Sequence, residues 1–120
     1  MKSILVIPAL NPPAHLLEYV DELIASGAEH LVLVDDGSAS EYKPIFEKLS
    51  EHPQCHILTH TVNQGKGRAL KDAFAYILEQ PQWAGLGVIT ADSDGQHLAA
   101  DIRRMDQEME QLRRKEDRFL

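Results

Sequence analysis

One cysteine, Cys55, stands in a chain of 120 residues. An internal disulfide is therefore excluded. A lone cysteine suits a reducing compartment, where it serves as a small buried residue on a strand. Long hydrophobic runs are missing too. Only Lys2 precedes the first apolar stretch, which Pro8 closes, so this stretch is too short for a secretory signal, and no other run approaches the length of a bilayer span. Basic charge is scarce, since 12 Lys and Arg against 19 Asp and Glu leave a net charge of −7. A chain of that sign is a poor partner for nucleic acid and suits an anionic ligand held through a metal by carboxylates. No repeat, low-complexity tract or linker divides the sequence. The length fits one small domain that is soluble and cytosolic.

Against these absences one segment is rich in chemistry. The apolar run Val88-Ile89-Thr90-Ala91 ends on Asp92-Ser93-Asp94-Gly95-Gln96-His97, which places two carboxylates one residue apart at a strand end. Hard oxygen ligands in that position can hold Mg²⁺ or Mn²⁺ and leave coordination sites for the oxygens of a diphosphate. Asp92, Asp94 and the Gln96 amide supply such oxygens. The same residue types also make an ordinary polar turn. A second acidic pair, Asp35-Asp36, follows another apolar run, Leu31 to Val34, and leads into Gly37-Ser38. Two strands thus finish on carboxylates at one kind of edge. An EF-hand loop starting at Asp92 would need Gly and Glu where this chain has His97 and Arg103, so calcium-sensor chemistry is unlike this pattern.

The element pattern alternates. Ser3 to Ile7 is aliphatic and β-branched and reads as a buried first strand that Pro8 ends. Leu16, Leu17, Val20, Leu23 and Ile24 recur at helical spacing up to a stop at Gly27. Leu31 to Val34 gives a second strand. Tyr42, Ile45, Phe46 and Leu49 give a second helix, with Pro44 in its first turn. His56 to Thr61 reads as the third strand, and Ala69, Leu70, Ala73, Phe74, Ile77 and Leu78 as the apolar face of a third helix. Leu86 to Ala91 is the fourth strand. From Leu98 a charged helix carries a narrow stripe of Ile102, Met105, Met109 and Leu112, a pattern that suits packing on its own domain and also a helix–helix seam. Such alternation predicts an α/β fold, a three-layer parallel sheet with helices on both faces.

Two tempting motifs fail on residue identity or spacing. Gly65-Lys66-Gly67 lacks the glycine spacing and the Ser or Thr of a Walker motif, which excludes a P-loop ATPase. Lys66 can still reach a phosphate, or it can be a solvated residue at a helix start. His56 and His60 share a strand face but stand too far apart for the helical two-histidine zinc arrangement, and structural or surface roles suit them better.

Taken in order, Val6-Ile7-Pro8-Ala9-Leu10-Asn11, Val34-Asp35-Asp36-Gly37-Ser38, Asn63-Gln64-Gly65-Lys66-Gly67 and Asp92-Ser93-Asp94-Gly95-Gln96-His97 resemble family 2 glycosyltransferases of the GT-A fold. The branch most resembled is that of dolichyl-phosphate mannosyltransferases and bacterial polyprenyl-phosphate sugar transferases. The resemblance runs from Ser3 to about Ile102. It implies a Rossmann-like GT-A sheet truncated to about four strands, and a single donor-binding domain over residues 1–120 that is incomplete at its carboxyl end.

The resemblance further implies a nucleoside-diphosphate sugar, UDP-, GDP- or dTDP-linked, bound across the strand ends. Pro8 and Leu10 would line the base or ribose pocket beside Asn11. Val34 would contact the base, and Asp36 would accept a hydrogen bond from its ring NH. Asp92 would face the ribose and metal side, and Ser93 would meet the nucleotide through its backbone. Lys66 joins the expected nucleotide-binding set. Asp92, Asp94 and Gln96 would hold Mg²⁺ or Mn²⁺, which neutralises the leaving diphosphate. His97 could approach that metal or simply cap a helix. Where the family often carries an acidic residue after the asparagine, this chain has Pro12.

The catalytic base of inverting members is expected beyond residue 120 and is left unassigned. The implied reaction is metal-dependent sugar transfer to a lipid phosphate, a saccharide or another acceptor, in the cytoplasm or peripherally at the inner face of the membrane. Two alternatives stand beside it. One is a non-catalytic nucleotide-binding or assembly module. The other is an Asp-x-Asp phosphohydrolase, which would normally carry the motif after its first strand. A strand edge left bare at Leu86 to Ala91 predicts a homo-oligomer.

Overall fold

The computed structural model describes residues 1–95 and 99–119, with side chains described as far as Leu112. Four parallel strands, β1 (Ile4–Ala9), β2 (His30–Asp36), β3 (Cys55–His60) and β4 (Val88–Thr90), form one sheet in the order β3-β2-β1-β4. The helices are α1 (Leu16–Ala25), α2 (Lys43–Ser50), α3 (Lys66–Leu78) and α4 (Ala99–Phe119). Both faces of the sheet are covered, which is why β1 and β2 read as nearly unbroken aliphatic runs. Strand alternation sends Leu5, Ile7, Leu31, Leu33 and Ile89 into a core shared with α1, α2 and Ile102 of α4. Ile4, Val6, Val32 and Val34 point the other way, onto Ala69, Ala73, Ile77 and Trp83. Each fully buried Val, Leu or Ile side chain among them contributes roughly 1.5–3 kcal/mol. This is the three-layer α/β arrangement expected from the sequence.

Helix boundaries follow local chemistry. Gly27, at φ 105°, closes α1 with two bonds: its own amide donates to the Ile24 carbonyl, and the Ala28 amide donates to Leu23. That pairing is a Schellman cap, which needs the left-handed region that glycine enters without strain. Pro44 sits in the first turn of α2 as its missing donor permits.

Four expectations are corrected. Pro8 does not end β1, which continues to Ala9 with Pro8 in register with Val34. Ile4 and Val6 exchange bonds with Gly87 and Ala91, so the alternate residues of β1 face β4. Pro8 is the next on that side, where β4 has already ended at Thr90, and no donor is wanted there. The pair Asp35-Asp36 does not follow β2 but forms its last two residues. The fourth strand is shorter than expected, Val88–Thr90, with Leu86 packed beneath the α3 layer. β3 covers Cys55–His60, shifted by about one residue.

The helical stripes were read too generously. In α3, Ala69, Ala73 and Ile77 are buried, but Phe74 is 39% exposed and Leu78 85% exposed. In α4, Ile102 is buried and Met105 and Met109 pack on the core, whereas Leu112 is 61% exposed. α4 is fastened beside the start of β1 by Asp106, whose buried carboxylate accepts the Ser3 amide at 2.7 Å.

Candidate nucleotide-binding site

Because β1 leads to β2 on one side and pairs with β4 on the other, the sheet order reverses at β1. Open α/β sheets bind ligands in the crevice beyond the carboxyl ends of such strands. A cleft of about 380 Å³ lies there. The end of β1 contributes Pro8, Ala9 and Leu10, and β2 contributes Asp36. The loop into α3 adds Asn63, Gly65 and Lys66, and the segment after β4 adds Asp92, Ser93 and Asp94. Seven expected residues, Pro8, Leu10, Asp36, Lys66, Asp92, Ser93 and Asp94, are therefore brought together from segments far apart in the chain.

Asp36 is the most heavily engaged of them. Its Oδ1 accepts hydrogen bonds from His60 Nδ1 at 2.8 Å and from the Gln64 amide at 2.9 Å, and its Oδ2 accepts the Gly65 amide at 3.0 Å. Burial pushes the carboxyl pKa up, but the bonds from His60, Gln64 and Gly65 outweigh it and hold the group below the ordinary carboxylate range. Asp36 thus both lines the cleft and anchors the loop that forms the facing wall. Its sequence neighbour Asp35 points to the opposite face of the sheet, as strand alternation requires, and accepts the Ser38 amide at 2.9 Å.

The turn after β4 is supported from α1. His15 Nε2 donates to the Asp94 carbonyl at 2.7 Å, and Gly95, at φ 75°, lies over the Tyr19 and His15 rings. Burial, then the charges of Asp92, Asp94 and Glu22, push the Tyr19 hydroxyl up to about 12, so it remains a neutral phenol beneath this turn. Asp92 receives Lys66 Nζ at 3.0 Å across the cleft. Lys66 is therefore not merely solvated, since it opens α3 and pairs with an acidic residue of the site. No side chain caps the first turn of α3. A long helix with open amides at its start favours an anion there.

Two expected residues stand outside the cleft wall. Val34 is fully buried in the layer beneath α3, directly below the cleft. Asn11, at φ 46°, ties the β1 and β2 loops together: its amide donates to Ser38 Oγ and its side-chain oxygen accepts the Ala39 amide, both at 2.9 Å. Gln96 and His97 lie outside the described residues. Among the described residues no three His, Cys, Asp or Glu gather into a metal cage. Asp92 and Asp94 both line the cleft, and their carboxylates are oxygen ligands of the kind that Mg²⁺ takes, so the residue types present would suit such an ion.

Sequence reasoning missed His60, Asp72 and His15 as parts of the site. The available signal was His60 as a polar residue on the α3-facing side of β3, six residues before the helix that supplies its partner Asp72.

A family model described as glycosyl transferase family 2 matches residues 4–115. The chain belongs to this family. A curated relative, an uncharacterised protein of Methanocaldococcus jannaschii, is 31% identical over 100 residues, which cover 83% of this chain and 38% of that protein. The undecaprenyl-phosphate 4-deoxy-4-formamido-L-arabinose transferase of Sodalis glossinidius is 28% identical over 111 residues, covering 87% of this chain and 32% of that one. The chain thus spans about a third of the length of these relatives. Among solved structures, S. aureus TarS 1–349 matches with a TM-score of 0.52 at 22% identity, over 89% of this chain and 33% of that one. The same TarS portion in complex with UDP matches with a TM-score of 0.51 at 25% identity, over 78% and 28%. The GT-A fold expected from the sequence is borne out. Membership in family 2 also displaces the phosphohydrolase alternative.

Proposed function

We propose that this chain is the donor-binding part of a metal-dependent glycosyltransferase that takes a nucleoside-diphosphate sugar and serves transfer to a lipid-linked acceptor. The observation that carries the reading is the cleft at the reversal of the sheet, where Pro8 and Leu10, Asp36, Lys66 and the Asp92–Asp94 turn meet. Its apolar β1 side suits a base and ribose. Its opposite side suits a diphosphate, with the open start of α3 and the Lys66 ammonium to receive negative charge. A UDP-bound relative of the same fold supports the nucleotide, and the name of the Sodalis relative supports a polyprenyl-phosphate acceptor.

Three carboxylates, Asp36, Asp92 and Asp94, face one lysine in the cleft. A bare diphosphate would be repelled by that balance, which is the physical reason to expect a divalent cation. Asp92 and Asp94, with Gln96 as the third expected ligand, would hold Mg²⁺ or Mn²⁺. The cation supplies neutralisation of the leaving nucleoside diphosphate. The chain's own residues bind and orient: Asp36 fixes the loop wall, His15 fixes the Asp94 carbonyl, and Lys66 bridges to Asp92. No described residue is assigned as general base.

Calorimetry of UDP-, GDP- and dTDP-glucose, each with Mg²⁺, with Mn²⁺ and in excess chelator, tests the reading. We expect at least one to bind, and only with the cation. Equal affinity in chelator would remove the metal bridge. Transfer of a radiolabelled sugar to polyprenyl phosphate would separate an enzyme from a module that only binds nucleotide.

A further inference from the structure

We propose that His60, held between the carboxylates of Asp36 and Asp72, is a positioning residue of the cleft whose proton governs how tightly a nucleoside-diphosphate sugar is held. The inference rests on the nucleotide-binding reading above and concerns its control.

His60 is the last residue of β3, in register with Asp36 on β2. Its side chain is 9% exposed. Nδ1 lies 2.8 Å from Asp36 Oδ1, and Nε2 lies 2.7 Å from Asp72 Oδ2 on α3. A neutral imidazole donates from only one nitrogen, so two carboxylate acceptors on opposite sides require both nitrogens to be protonated. The hydrogen bond with Asp36 has the largest influence and raises the pKa of His60; burial opposes it, and Asp72 adds to the rise. Asp72 is itself paired with Arg68 Nε at 3.2 Å. The charged groups facing the ring are thus Asp36 from β2 and Asp72 from α3, with Arg68 behind Asp72.

The consequence reaches the ligand through one carboxylate. Asp36 lines the cleft and accepts the amides of Gln64 and Gly65, which fix the loop presenting Lys66. With His60 protonated, the negative charge of Asp36 is compensated from behind, and its oxygens are fixed in place. Once the proton leaves, one ring nitrogen becomes a lone pair facing a carboxylate. That contact turns repulsive, Asp36 is uncompensated beside an incoming diphosphate, and the loop loses part of its anchor. Affinity is therefore tight below the pKa of His60 and falls as pH rises through it.

The test measures binding of UDP-, GDP- and dTDP-glucose to the 120-residue chain from about pH 5.5 to 8.5 at fixed Mg²⁺. Sugar esters are used because they lack the phosphate ionisation near pH ~6 that would imitate the effect. Ring resonances of His60 are followed by NMR over the same range. The expected result is an affinity that falls about tenfold for each pH unit by which the ligand raises the pKa of His60, in step with the titration of that ring. Asp72→Asn should move the fall to lower pH. It also separates His60 from His15, which touches the Asp94 carbonyl and not Asp72. His60→Gln should bind weakly with no such pH dependence, its fold checked by circular dichroism.

A pH-flat affinity in the parent, or a fall that Asp72→Asn does not move, would overturn the proposal while leaving nucleotide binding intact. If Asp72→Asn fails to fold, a His60 midpoint in the parent at or below that of free histidine overturns it equally. Absence of binding at every pH would instead remove the nucleotide reading, and the proposal with it.

Discussion

Gly37 stands where the turn after β2 meets the loop after β3. Its φ is 76°, and a Cβ placed there would lie 2.3 Å from the Asn63 nitrogen and 2.4 Å from the Val62 carbonyl carbon, both backbone atoms that cannot swing aside. Gly37→Ala should therefore cost about 1–3 kcal/mol, read as a lower denaturant midpoint. The two acids of the cleft should behave differently. Asp94 lies beyond β4 and is exposed, so Asp94→Asn should leave the melting temperature near that of the parent and weaken Mg²⁺-dependent nucleotide-sugar binding by about tenfold. Asp36→Asn replaces an acceptor of two amides and a histidine with a group half of which is a donor. Loss of about 1–3 kcal/mol in stability should accompany the loss of affinity, because buried donors are left without a matching acceptor. Calorimetry and thermal melts on both variants check the contrast. The motif around Asp36 was legible as a binding motif; its second duty was not, because the amides it accepts belong to a loop almost thirty residues away.

At the scale of elements, β2, β3 and α3 are joined by the Asp36–His60–Asp72 chain. The folded pKa of His60 is raised, so its contribution to stability is full below about pH 6.5 and is lost as pH rises through the folded value. The folded pKa of Asp36 is lowered, so its contribution is present above the ordinary carboxylate range and is lost as pH falls through the folded value. Melting temperature should therefore peak on the acidic side of neutrality between these limits. His60→Gln should flatten the alkaline side of that curve, measured by circular dichroism. The same pairs explain what the sequence could and could not disclose. Aliphatic runs located β1 and β2 because both faces are buried. Pro8 misled because its lack of a donor matters only where a neighbouring strand continues, and β4 stops short. Phe74 and Leu78 share the helical spacing of the α3 stripe, yet Ala69, Ala73 and Ile77 are the residues buried against the sheet, with Leu70 and Tyr76 partly buried beside them.

For the molecule as a whole, the outer strands β3 and β4 carry open backbone edges among the described residues. Such edges recruit partners. Concentration-dependent self-association is the expected outcome by light scattering, and a monodisperse monomer at high concentration would show that these edges do not recruit a second copy. Fold class and the number of strands were legible, since each depends on patterning within single segments; the gathering of most of the cleft was legible only through the four motifs that carry the family resemblance. Strand order was not, because no local pattern says that β4 joins β1 rather than β3. That pairing has a kinetic meaning. Ile4 to Val6 pair with Val88 to Thr90, the strand pairing that joins the segments farthest apart in the chain. Contacts so distant in sequence are the slow ones to form, since closing the long loop costs entropy before any contact repays it. The acidic turn at Asp92 directly follows β4, so it is expected to enter the cleft with that pairing. A bound nucleotide sugar would then act as a latch on the final stage of folding, slowing unfolding from the β4 side and raising stability by about 2.7 kcal/mol at a hundredfold excess over Kd.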